Sequence, residues 1–518
     1  MTTNNDLDYI LSIIDKFGGI NRLGLLFSTK KNGYYYDNGT GKVILCEPDE
    51  YEVFKWLFSR KEKEGYICLC ESLCIVNIDE IIKNVKEAIE EENLLQAPII
   101  KEFISPTHKE FFEESLDEGI RMITLELTEK CNLRCDYCVY NEKHNGERGF
   151  SSKEMSKETL EAAIEFLAKH GSDEVAVTFY GGEPLLKFDL IKHAVFYSQK
   201  ILKEKKVSFS MTTNLTLMTK KMADFFASID NFSIVCSIDG PEHIHDQYRK
   251  YADGTGSFNN TIKGLFYLVE SYKKHNRLNE NDTANLSLSM VFGEPHTEMR
   301  ITEIQSFFND LTWLPATIAK QISYPSKGIS IDYESSLESR SEQDYFDPLL
   351  DWSKAKYAIE NKENNFLEGH LERVLLGIHK RPILNEPAQS IGMNGCCVPG
   401  HRRLCISTNG DMKPCERMGT CPTIGNVFSG FDKEKMNNVY VNEYESKSVD
   451  DCNNCWAFKI CGVCYATLYT KNDTLDINHK RKRCNNAKEY SKRLLELYHE
   501  YLEENPEMFL HFNDYTIT

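Results

Sequence analysis

The chain has 518 residues, 41% of them hydrophobic and 27% charged, which is the composition of a globular protein of about three domains at roughly 150 residues each. A net charge of −18 excludes a nonspecific nucleic-acid binder, which needs a basic face. The first residues, "MTTNNDLDYI", lack a signal peptide's basic and apolar segments, and no apolar run reaches the length of a membrane span. The expectation is a cytoplasmic protein with neither membrane nor nucleic acid as a partner. There, 18 cysteines are not expected to pair as disulfides, which leaves metal binding or buried free thiols.

Residues 1–105 open with three short apolar runs, "LGLLFST", "GYYYDNG" and "KVILCE", separated by Gly and Asn. They predict three strands joined by turns. "DEYEVFKWLF" follows with Val53, Trp56 and Leu57 at helical spacing. In "DEIIKNVKEAIEEENLL", Ile82, Val85 and Ile89 form an apolar stripe opposite acidic residues. The sum is a small winged-helix-like α+β unit. Cys46, Cys68, Cys70 and Cys74 lie within it, and ordinary buried thiols are favoured over a metal site.

Residues 118–330 alternate strand and helix. "MITLELT", "EVAVTFY", "VSFSMTTN", "FSIVCSIDG", "ANLSLSMVF" and "QISYPS" read as short, apolar, buried parallel strands, with "KETLEAAIEFLAKHG" closed by Gly171 among the helices between them. Six such units predict an α/β partial (β/α)6 barrel, with the segments that follow the strands converging at the carboxyl-end face. Residues 331–395 read as a bridge, and 396–518 as a cysteine-rich unit ending in the amphipathic helix "AKEYSKRLLELYHEYLEEN".

After the first barrel strand comes "TEKCNLRCDYC", with Cys131, Cys135 and Cys138 as C-x3-C-x2-C and no fourth cysteine beside them. Three thiolates can hold three irons of a [4Fe–4S] cluster and leave the fourth open to a ligand that is not protein. The alternative is zinc completed by a distant ligand. With "GGEP" (Gly181, Gly182, Glu183, Pro184) and "SIDGPEHIHDQYR" after later strands, the chain resembles the radical SAM superfamily. That resemblance implies S-adenosylmethionine (SAM) at the open iron, reductive cleavage to a 5′-deoxyadenosyl radical, and an electron donor such as flavodoxin or ferredoxin. It also implies that Tyr137 belongs to the cluster motif, that the Gly181–Pro184 loop meets the amino group of the methionine moiety, and that Ser237 and Arg249 contact SAM. Thr213 and Asn214 face the cofactor by a weaker carry-over.

The C-terminal cysteines, in "CCVPGHRRLCISTNGDMKPCERMGTC" and "CNNCWAFKICGVC", resemble the SPASM extension of radical SAM peptide and protein maturases, which binds two auxiliary [4Fe–4S] clusters. The resemblance implies Cys397, Cys415 and Cys464 at the first, and Cys452, Cys455, Cys461 and Cys484 at the second. Cys396, Cys405 and Cys421 are surplus to it, so the first set stays open. Cys405 alternates with Leu404 and Ile406 as in a strand, where a buried thiol is the alternative. An acidic residue at the place of Glu416 acts as general base in sulfatase maturases, and a surface carboxylate is the alternative.

The first module resembles the RiPP recognition element, a domain that binds leader peptides by adding a strand to a sheet edge. Here the edge would lie in 42–47, against the helix 79–95. The reading is a maturase of a ribosomally made precursor peptide, installing a Cys thioether of sactipeptide or ranthipeptide type. Carbon–carbon crosslinking and sulfatase-maturase-like oxidation of Cys or Ser are the alternatives, and a non-catalytic zinc protein is the remote one.

Overall fold

The computed structural model describes residues 4–515, except 61–64, 74, 104–115, 142–147, 279–284, 325–348, 351, 354–365, 390–391, 393–396, 418, 420, 466–467 and 471. Cys74, Cys396 and most of the bridge at 331–395 therefore lie outside the described residues. Among those described, no helix is long and apolar enough to cross a membrane.

The chain begins with a helix absent from the sequence reading, Asn5–Lys16. The Asn4 side chain caps it by accepting from the backbone N–H groups of Asp6 and Leu7, and the helix buries Leu7, Ile10, Ile13 and Ile14. The three expected strands follow as an antiparallel sheet, β1 (Gly24–Ser28), β2 (Gly33–Asp37) and β3 (Val43–Cys46), with β2 in the middle. Helices Pro48–Ser59 and Ile78–Glu92 cover one face, burying Val53, Trp56, Leu57, Ile82, Val85 and Ile89 as their spacing predicted. Cys46 and Cys68 pack into this apolar cluster.

Among the described residues the large sheet has ten strands. The parallel run is β4 (Ile120–Glu126), β5 (Gly171–Tyr180), β6 (Lys206–Thr213), β7 (Phe232–Ser237), β8 (Leu286–Val291) and β9 (Ala319–Ser323). These are the six expected strands. β10 (Arg403–Ile406) adds a seventh, parallel to β4, and β11 (Asp411–Lys413), β12 (Gly425–Asn426) and β13 (Gly430–Phe431) continue antiparallel. The cysteine-rich segment thus extends the barrel sheet.

One expectation is refined here and another changes. Gly171 caps its helix as expected, but with φ −86° and not in a left-handed turn. It begins β5, and a Cβ there would lie 2.5 Å from the Leu167 carbonyl oxygen, so close approach explains the glycine. The strands are also not uniformly apolar. Ile123, Leu125, Val177, Phe179, Phe209, Met211, Ile234 and Leu288 pack into one core with the helices. The alternate residues, Thr124, Glu126, Thr178, Tyr180, Ser210 and Ser289, line the opposite, inner face, where the Thr178 and Ser210 hydroxyls share a hydrogen bond of 2.7 Å.

The N-terminal unit docks on the C-terminal one through polar contacts. Thr29, Asn32 and Tyr34 all donate to Glu503 Oε1, at 2.7, 2.8 and 2.7 Å. Arg22 is buried and donates to the carbonyls of Phe17, Ala97, Pro98 and Asn453. Asn38 donates to the carbonyl of Cys455, and Lys459 to that of Gly39. Arg22→Met should cost about 2–5 kcal/mol, because it strands the buried Ala97 carbonyl and three part-buried ones at once, with Arg22→Lys in between. Thermal unfolding of the two variants checks this.

Candidate active site

The loop after β4 is fixed by backbone bonds at both flanks. Arg134 N–H donates to Lys250 O and Asp136 N–H to Tyr248 O, while Cys138 N–H returns to Cys135 O. Asn141 Nδ2 donates to Cys135 O and so closes the turn that carries all three cysteines. Burial pushes the free thiols up, Cys131 to about 12, aided by the Glu183 carboxyl, and Cys135 to about 11. Thiolates at this depth require bound cations to hold their charge.

"GGEP" packs directly against that loop. Gly181 has φ +143°, and a Cβ on it would lie 2.4 Å from Thr128 O; on Gly182 it would lie 2.0 Å from Lys130 O. Glycine is required at both places because two backbones touch. The N–H groups of Gly182 and Glu183 donate to Thr128 O and Lys130 O, and Pro184 starts a short 3-10 turn. The Glu183 carboxylate is fully buried. It accepts from Thr213 Oγ1 at 2.7 Å, Asn214 N–H at 2.9 Å and Leu185 N–H at 3.0 Å. Burial raises its pKa to about 6 against the lowering effect of these bonds. Asn214 Nδ2 continues to Asn132 Oδ1, within the three-cysteine loop.

On the other flank, Tyr137 OH donates to Asp239 Oδ2 at 2.6 Å. Arg249 holds the same carboxylate with two bonds, at 2.8 and 3.0 Å, and its guanidinium lies 5.3 Å from the Tyr137 ring centroid. Burial works against the Asp239 charge, but Arg249 overcomes it and holds the carboxyl below the usual range. Arg249 is therefore engaged by Asp239, and the residue sequence reasoning left without a role is Asp239 itself, the third of "SIDG". Ser237 ends β7 opposite Ser289 of β8.

The structure places Glu416 toward the barrel. Its carboxylate acts electrostatically on Tyr180, at the end of β5, and on Cys405 of β10, while Cys138 also acts on Tyr180. Glu416 Oε2 is buried and has no hydrogen-bond partner. Nearby, Arg148 pairs with Glu126 at 2.6 Å and stacks on Tyr140 at 3.8 Å, three residues that the sequence reading passed over. Cys405 is buried in β10, as its alternation suggested.

Cys415 lies within electrostatic reach of Cys397 and Cys464, and Cys421 of Cys415 and Cys464. The four are thus brought together, Cys397 the most exposed. Cys452, Cys455, Cys461 and Cys484 line one cavity of about 350 Å³. Among the described residues no three His, Cys, Asp or Glu side chains close on a single-ion site.

Residues 125–279 match the radical SAM superfamily. The match marks the chain as an enzyme of radical SAM type over that segment. Its relatives include a cysteine-type anaerobic sulfatase-maturating enzyme of Clostridium perfringens, 25% identical over 371 residues, which are 70% of this chain and 92% of that one. The radical SAM cyclopropyl synthase TigE of Paramaledivibacter caminithermalis is 27% identical over 285 residues, 51% of this chain and 59% of that one. An uncharacterized protein of Methanocaldococcus jannaschii is 35% identical over 155 residues, 30% of this chain and half of that one. The solved structure of polyhistidine-tagged anSMEcpe with bound AdoMet superposes with a TM-score of 0.53 at 20% identity, covering 77% of this chain and 96% of that one, which establishes the shared fold. The superfamily implies SAM and one [4Fe–4S] cluster. This radical SAM enzyme offers a fitting donor set for them: three thiols on one pinned loop, with a glycine loop and a buried carboxylate against it.

Proposed function

We propose that this enzyme modifies a ribosomally made precursor peptide and installs a Cys thioether crosslink. Cys131, Cys135 and Cys138 hold the [4Fe–4S] cluster, and the Gly181–Pro184 loop, Ser237 and the face of Thr213 and Asn214 seat SAM. Arg249 and Tyr137 act through Asp239 to fix that wall. When bound, the cluster and SAM supply the radical that removes hydrogen from the substrate. The chain's part is to place the peptide, exclude water and take the proton released as the new bond closes. Glu416 is suited to that last task, since one carboxylate oxygen is buried without a partner. Cys397, Cys415, Cys421 and Cys464 form the first auxiliary cluster site, and Cys452, Cys455, Cys461 and Cys484 the second. A flavodoxin or ferredoxin serves as electron donor.

The observation that carries the peptide reading is β3. Among the described residues it pairs only with β2, and Leu45 on it is 55% exposed. An open edge beside an amphipathic helix suits strand addition by a leader segment. The sulfatase-maturase-like alternative draws on the 25% identity across nearly all of the Clostridium perfringens enzyme; such an enzyme has no need of a leader-binding unit.

The test is anaerobic co-expression with each peptide encoded by short reading frames beside the gene, followed by mass spectrometry. Loss of two hydrogens with a cysteine no longer alkylatable is the expected result. The same loss with free thiols points to carbon–carbon crosslinking. Oxidation of a sulfatase-type peptide, with all the neighbouring peptides unmodified, would replace the proposal with the alternative. Glu416→Gln is expected to keep SAM cleavage while slowing peptide modification about 10²–10⁴-fold, the range for a lost general base. Quantifying 5′-deoxyadenosine and modified peptide together separates the two effects.

A further inference from the structure

The cavity bounded by Cys452, Cys455, Cys461 and Cys484 also contains Lys480 and Lys488. Lys480 is 1% exposed. Its Nζ lies 3.8 Å from Cys452 Sγ, 3.9 Å from Cys484 Sγ and 5.6 Å from the Tyr444 ring centroid. Among the described residues no carboxylate pairs with it. An ammonium held this far from water needs an anionic partner, and the thiolates of a bound cluster are what faces it. Lys480, Cys484 and Lys488 are spaced by four residues on the helix Ile477–Glu504, so all three share one face. Lys488 is half-buried and acts on Cys455 and, together with Lys480, on Cys461.

We propose that Lys480, seconded by Lys488, sets the reduction potential of the iron–sulfur cluster held by these four cysteines, raising it above that of a cluster surrounded by thiolates alone. The inference rests on the reading of the four cysteines as a cluster site. Reduction adds one electron, and so one negative charge, to a unit that is already anionic. A cation within about 4 Å in a low-dielectric pocket stabilises the reduced form more than the oxidised one. Both lysines act in the same direction, and Lys480 is the stronger because it is closer and better shielded from solvent.

The experiment is a potentiometric titration followed by electron paramagnetic resonance on the full-length, anaerobically reconstituted protein. It uses a background with Cys131, Cys135 and Cys138 replaced by alanine, and reads the component that Cys484→Ala removes. K480M should lower the one-electron reduction equilibrium constant at least tenfold, a shift of 59 mV. K480R should stay within threefold of the parent, and K488M should shift less than K480M in the same direction. A K480M protein with full iron and an unshifted or raised potential overturns the proposal. Loss of this iron in every lysine variant overturns it as well, by assigning Lys480 to holding the cluster. A parent protein with no iron at Cys484 fails earlier and separately: it removes the cluster reading before any lysine is compared.

Discussion

Alanine in place of Cys131, Cys135 or Cys138 is expected to abolish SAM cleavage and to remove the iron of one cluster, leaving iron at the C-terminal cysteines untouched. The three thiols share one loop, so no other element can supply a substitute without unmaking it. Arg134 and Asp136 anchor that loop to the backbone of Lys250 and Tyr248, and Asn141 ties its end to Cys135. With one thiolate gone, two thiolates and SAM would cover three of the four irons and leave one without a ligand. Folding should survive, since Cys→Ala removes one small side chain and no buried hydrogen-bond donor to the core. Iron content, 5′-deoxyadenosine production and thermal unfolding together check the claim. A Cys135→Ala protein that still cleaves SAM at the parent rate would sink the assignment of this loop.

The three-cysteine loop was legible because its spacing is local: C-x3-C-x2-C puts three thiols within eight residues. The strands were legible for the same reason, as runs bounded by Gly, Asn and charged residues. What the strings did not give up was which face each strand shows. "VSFSMTT" and "LSLSMV" alternate Ser with Phe, Leu and Met, a period-two signal for one wet face, yet their apolar content reads as full burial. The helix Asn5–Lys16 was also written in the sequence, with Asn4 as cap and Leu7, Ile10, Ile13 and Ile14 at helical spacing. Other features depend on contacts between distant segments. Nothing near Cys405 announces that "RLCI" will pair with β4 across some 280 residues, or that Glu416 will thereby face Tyr180. Asp239 was visible in "SIDG", but its grip on Arg249 and Tyr137 exists only once the helix Glu242–Tyr248 brings Arg249 back and the segments after β4 and β7 meet. Lys480 looks like one more lysine in a basic stretch, "HKRKRC", until the fold buries it beside Cys452.

Glu183 gives the second large effect, and it depends on pH. Its carboxyl is pushed up to about 6 by burial, in spite of three donors that favour the charged form. The native pKa exceeds the ordinary Glu value, so the folded state binds this proton more tightly than the unfolded chain. Ionised Glu183 therefore costs stability above about pH 6, and that cost disappears as the pH falls toward the unfolded value. SAM binding has the opposite sign. If the Gly181–Pro184 loop receives the cationic amino group, binding prefers ionised Glu183. Affinity should then level off above about pH 7 and fall roughly tenfold per unit below about 6. Glu183→Gln should remove this slope and weaken SAM binding at least a hundredfold. Both Glu183 oxygens accept, from Thr213 and Leu185 on one and Asn214 on the other, so an amide must turn an N–H group toward a donor. That mismatch costs about 1–3 kcal/mol beyond the lost charge and loosens the loop that touches Lys130 and Cys131. Equilibrium dialysis of SAM between about pH 5 and 8, on parent and variant, reads both consequences. A parent curve flat across that range, with equal affinity in Glu183→Gln, would show that this carboxylate supports the loop and does not sense the ligand's charge.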